Sequence, residues 1–147
     1  MRLSSSNCRW IAALLLTACL GAAASAPALA QTRFTRHIEP IFSRLGCNAG
    51  ACHGKVRGEA GFQLSLFGVS PERDHQSLVR EFSGRRLNLI DPERSLFLLK
   101  ATGEVAHGGG KRTEPGSKDY ETLKQWVAAG AAMDDPAKSR VLSLEIT

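Results

Sequence analysis

From Thr32 to Leu45 the apolar side chains Phe34, Ile38, Ile41, Phe42 and Leu45 return every three or four positions, the spacing of one helix face. Pro40 falls inside this stretch, and a proline in a helix interior costs about 3 kcal/mol, so the pattern predicts a kink or a late helix start. Gly46 to Gly61 is rich in Gly and Ala around two cysteines and keeps neither period; it reads as a loop that wraps something. Gln63 to Phe67 alternates polar and apolar residues, as a short strand or extended segment does. Ser70-Pro71-Glu72 and Asp91-Pro92-Glu93 each offer a capping residue, a proline at the first helical position and an acid in the first turn, so two short helices are predicted. The second, through Ser95 to Ala101, carries Leu96, Phe97, Leu98 and Leu99 and is apolar enough to be buried. After a glycine-rich loop, Gly108 to Gly116, Ser117 can cap a last helix whose face is Tyr120, Leu123, Trp126 and Val127 and which ends near Gly130. The expected class is all-α.

Both ends differ from this middle. Arg2 and Arg9, an apolar run from Ile11 to Ala24, and Ala28-Leu29-Ala30 form the charged, hydrophobic and small-residue parts of an export signal, so residues 1–30 are expected to be removed and the chain to work in the periplasm or otherwise outside the cytoplasm. Leu16-Thr17-Ala18-Cys19 also resembles a lipoprotein signal, which would leave Cys19 lipidated. The apolar run is shorter than the roughly 20 residues that span a bilayer, and no second one follows, so no integral membrane span is expected in the mature chain. Residues 31–133 then form one domain. Residues 134–147 form a polar linker and a strand-like tail, Val141-Leu142-Ser143-Leu144-Glu145-Ile146-Thr147, which could begin a further domain.

Cleavage after Ala30 takes two of nineteen basic residues and none of fourteen acidic ones, leaving a charge of +3. The remaining basic residues are scattered singly or in pairs without interleaved aromatics, which argues against a nucleic-acid surface. Arg85-Arg86 reads as a solvated pair that could also meet an anionic cofactor, and His37 and His75, flanked by charged and polar neighbours, read as surface residues.

The strongest chemical signal is Cys47-Asn48-Ala49-Gly50-Ala51-Cys52-His53. Covalent haem attachment needs two thiols that can each add to a vinyl group on one edge of the porphyrin, with a histidine beside the second thiol to reach the iron. The usual spacing has two residues between the cysteines. Here there are four, and the small Ala49, Gly50 and Ala51 suit the bulge this requires. Gly54 gives the backbone freedom to leave the haem edge. A Cys47–Cys52 disulfide stapling an exported binding or structural module is the alternative, and a zinc site from both cysteines, His53 and His107 is a third reading. No nucleophile turn or phosphate loop accompanies the His107 glycine run.

Phe34, Ile38, Pro40 and Ile41, the stretch from Cys47 to Gly54, Ser95 to Lys100, and Trp126-Val127 with Gly130-Ala131 together resemble the planctomycete-type cytochrome c-like domain of exported proteins, over roughly residues 33–132. The resemblance implies a small all-α cytochrome c-like fold wrapped around one haem c, bound through Cys47, Cys52 and His53. It implies an electron carrier rather than an enzyme, with a redox protein as partner. Members of that group tend to carry a methionine as second iron ligand in the loop before the last helix. This chain has Ala106-His107-Gly108-Gly109-Gly110 there, which makes His107 the expected distal ligand and Met133 the remaining alternative.

Overall fold

The computed structural model describes residues 32–139, 143 and 145. The segment expected to direct export and most of the tail expected to be strand-like lie outside them. Among the described residues the secondary structure is helical, with no strand and a single isolated bridge between Glu59 and Phe62.

The chain enters through a wide π turn, Phe34–Ile38, that runs into α1, Glu39–Arg44. Pro40 stands in the first turn of α1, where its missing N–H removes little, so the late start expected from the sequence is the solution adopted. Phe34, Ile38, Ile41 and Phe42 are all buried. They pack with Leu78 of α2 (Pro71–Val79), Leu98 of α3 (Leu96–Thr102) and Leu123, Trp126 and Val127 of α4 (Lys118–Ala128). Burying each such side chain stabilises the fold by about 1.5–3 kcal/mol. Trp126 lies at the centre, its ring 5.4 Å from Phe34, and its indole N–H donates to the Ala132 carbonyl at 3.0 Å. Ser117 caps α4 as expected, accepting from the Tyr120 amide at 3.2 Å.

Three expectations need correction. Gln63 to Phe67 forms no strand: Leu64 and Ser65 are both buried, and Phe67 (φ 55°) and Gly68 (φ 76°) turn the chain left-handed through a short 3-10 turn, Leu66–Gly68. Asp91-Pro92-Glu93 starts only the 3-10 turn Pro92–Arg94. The chain breaks at Ser95, whose extended backbone precedes α3 and whose hydroxyl accepts from the Asn88 amide at 3.0 Å rather than from the helix. His75 is not a surface residue: it sits edge-on to Phe34 at 5.1 Å and donates from Nε2 to the Ala131 carbonyl at 2.8 Å. His37 is exposed as expected.

Two carboxyl groups meet inside this core. Asp74 of α2 is fully buried and accepts from both the Ser65 amide and the Ser65 hydroxyl, each at 2.5 Å. Glu39 of α1 is 5% exposed, and no donor reaches either of its oxygens among the described residues. Burial, then the neighbouring Asp74 charge and a hydrogen bond to it, raise the Glu39 pKa from 4.5 to about 8. At neutral pH Glu39 therefore holds its proton.

Candidate cofactor site

A cavity of about 640 Å³ opens between the Cys47–Phe62 loop, α3 and the loop before α4, a size within the roughly 300–1,000 Å³ of cofactor pockets. Cys47, Cys52, His53 and His107 all line it. Met133 does not; it packs, half-buried, against the hydrophobic core. The candidate residues that are far apart in sequence are thus gathered at one place, and the alternative distal ligand is elsewhere.

The four-residue insert between the cysteines closes on its own backbone. The Cys47 amide donates to Phe42 O at 2.8 Å, Cys52 to Ala49 O at 2.9 Å, His53 to Cys47 O at 3.0 Å and Gly54 to Ala49 O at 3.0 Å. The bulge that the spacing demands is therefore an ordered turn. Gly54 is required by close approach: a Cβ there would lie 2.0 Å from the Asn48 carbonyl oxygen. Asn48, 1% exposed, ties the turn to α1 through a 2.9 Å bond from its amide nitrogen to the Ser43 hydroxyl.

The two thiols are free and both half-buried. Burial pushes the Cys47 thiol up to about 11, against the opposing pull of the Arg112 charge, so this sulfur is protonated at neutral pH. An Arg112 guanidinium nitrogen lies 3.7 Å from the Cys52 sulfur.

Both imidazoles are oriented by main-chain carbonyls. His53 Nδ1 is 3.0 Å from the Phe62 oxygen, and His107 Nδ1 is 2.9 Å from the Gly110 oxygen. A carbonyl only accepts, so each Nδ1 carries its hydrogen and each Nε2 keeps its lone pair in the neutral ring. Burial, then the His107 charge, lowers the His53 pKa against the raising effect of the Phe62 hydrogen bond, which favours the neutral form. This is the arrangement by which proteins orient metal-binding histidines. The two rings are nearly parallel, 8° between planes, with centroids 6.1 Å apart. The glycines beside His107 allow this: a Cβ on Gly109 would stand 3.0 Å from its Cε1 and 3.2 Å from its Nε2. The loop itself is anchored to α3, where the Arg112 and Thr113 amides both donate to the Ala101 oxygen, at 2.7 and 3.1 Å.

Among the described residues no three His, Cys, Asp or Glu side chains converge as a metal site, so the zinc tetrad considered from the sequence is not assembled. The sequence reading missed Phe62, whose ring stands 4.6 Å from His53, and took Arg86 for one of a solvated pair, whereas it is buried in the cavity wall. No periodicity marks either, since both are placed by irregular backbone. Comparison with protein-family models, with curated proteins and with solved structures finds no match to this chain. Among the described residues no helix is long and apolar enough to cross a membrane.

Proposed function

We propose that this chain is an exported c-type cytochrome that carries one haem c and transfers electrons to or from a redox protein outside the cytoplasm. The observation that carries the reading is that one cofactor-sized cavity is lined by two nearly parallel imidazoles, their centroids 6.1 Å apart, and by the two cysteines. His53 and His107 would hold the iron, and porphyrin nitrogens would supply the remaining ligands.

Cys47 and Cys52 would hold the haem edge through thioethers, His53 would be the proximal ligand and His107 the distal one. When bound, the haem supplies reversible one-electron chemistry at iron. The residues of this chain orient the two imidazoles and line the cavity with apolar groups such as Leu64, Leu96 and Phe97, and His53 and His107 would supply both protein ligands of the iron. Two imidazoles favour ferric iron relative to a histidine–methionine pair, so a low potential follows. Filled axial positions support electron transfer over peroxidase-type chemistry.

The test is expression with a periplasmic haem-attachment system followed by acid–acetone extraction. Haem that stays with the polypeptide and stains on a denaturing gel is expected. Extractable haem, or a haem-free protein with a Cys47–Cys52 disulfide, would replace this reading with that of a stapled exported module.

A further inference from the structure

The cavity wall contains a buried cation that is only weakly neutralised among the described residues. Arg86 is 7% exposed, and its guanidinium lies between the rings of Phe62 at 4.6 Å and Phe82 at 5.0 Å. Its Nη1 donates to Ser77 O at 2.7 Å and Glu81 O at 3.4 Å, and its Nη2 to Gly61 O at 2.7 Å. These partners are neutral carbonyls, which orient a guanidinium without cancelling its charge. The nearest carboxylate, Glu81, is 3.8 Å away, its side chain is 47% exposed, and it already accepts from the Ser77 hydroxyl. A buried charge left this way costs several kcal/mol unless a counter-charge arrives. Among the described residues Nε–H has no acceptor and Nη2 has one for its two hydrogens, and Nε with Nη2 forms the side-on edge of the guanidinium fork that fits a carboxylate.

We infer that Arg86 is the anchor for a carboxylate of the ligand in this cavity, and, on the haem reading above, for one haem propionate. The other charged groups of the wall fit this role less well; Arg85 lines it too, but is exposed to solvent rather than held within the wall. Arg112 stands beside the Cys52 sulfur, at the thioether edge, whereas propionates project from the opposite side of the macrocycle. Lys100 is drawn away to the Ala106 carbonyl at 2.9 Å, and Glu59, the acid in the lining, is exposed and paired with Lys55. Arg86 is therefore a positioning residue: it fixes the rotation of the ligand in its plane, while the thiols and imidazoles fix edge and faces.

The experiment uses the full chain loaded with haem in cells. Resonance Raman spectra are recorded for wild type, Arg86→Leu and Arg86→Lys, and a crystal structure is determined for the loaded wild type. The propionate bending bands should shift in Arg86→Leu and shift less in Arg86→Lys, while the low-spin marker bands stay in place. The crystal structure should put the Nε–Nη2 edge of Arg86 on a propionate carboxylate. A loaded, folded Arg86→Leu protein with unmoved bands, or wild-type propionates seated on Arg85, Lys100, Arg112 or solvent, overturns the inference and leaves the cytochrome reading standing. Should Arg86→Leu fail to fold, the crystal structure alone decides. A chain that takes up no haem overturns both.

Discussion

Glu39→Gln isolates the buried carboxyl pair with almost no change of shape. The wild-type carboxyl holds its proton more tightly folded than unfolded, with a pKa of about 8 in place of 4.5. Its contribution is therefore fully present below pH 4.5 and is lost as pH rises to about 8, because the unfolded chain has given up a proton that the folded one keeps. The interval between the two values corresponds to roughly 4–5 kcal/mol, a large part of the 5–15 kcal/mol that holds a typical domain together. The glutamine of the variant cannot ionise, yet its amide can still donate toward Asp74, whose own bonds from Ser65 are untouched. Urea unfolding of both proteins at pH 5, 7 and 9 gives the comparison. The wild type should lose stability relative to the variant as pH rises, by about 3–5 kcal/mol between pH 5 and 9. Parallel pH profiles for the two proteins would show that Glu39 does not hold its proton in the core and would refute the reasoning.

Other outcomes follow from the same geometry. His107→Ala should turn the low-spin ferric spectrum into a high-spin or water-ligated one, while Met133→Leu, outside the cavity, should leave it unchanged; absorption spectroscopy reads both. Gly54→Ala drives a methyl group into the Asn48 carbonyl, which is backbone and cannot swing aside, so it should cost about 1–3 kcal/mol or more in urea unfolding and reduce the haem-loaded fraction. Trp126→Phe removes the donor to Ala132 O and should lower stability by about 1–3 kcal/mol in thermal melts.

What the sequence made legible was local. The α4 face and its Ser117 cap follow a 3.6-residue period and one side-chain bond, and Tyr120, Leu123, Trp126 and Val127 are all buried. The sequence singled out the cysteine–histidine cluster and His107 by residue type, and the fold places all of them in the lining of one cavity. The helical class also holds. What stayed hidden depends on distant partners. Glu39 and Asp74 lie 35 positions apart and read as two ordinary helix acids until the fold brings them together. Arg85 and Arg86 are identical neighbours in sequence, yet one is exposed and the other buried, because the left-handed Phe82 and Ser83 turn the chain just before them. The alternation at Gln63 to Phe67 misled for a related reason: Ser65 is drawn inward by Asp74 rather than by a strand partner.

The central claim is a covalent haem on Cys47 and Cys52, and intact-mass spectrometry of the exported protein, made with haem-attachment machinery present, tests it most directly. The mass should equal that of the mature polypeptide plus one haem, with the added mass surviving denaturation and mapping to the peptide that contains both cysteines. A polypeptide lighter by two hydrogens, with Cys47 and Cys52 in one disulfide-linked peptide and no added mass, would contradict the account.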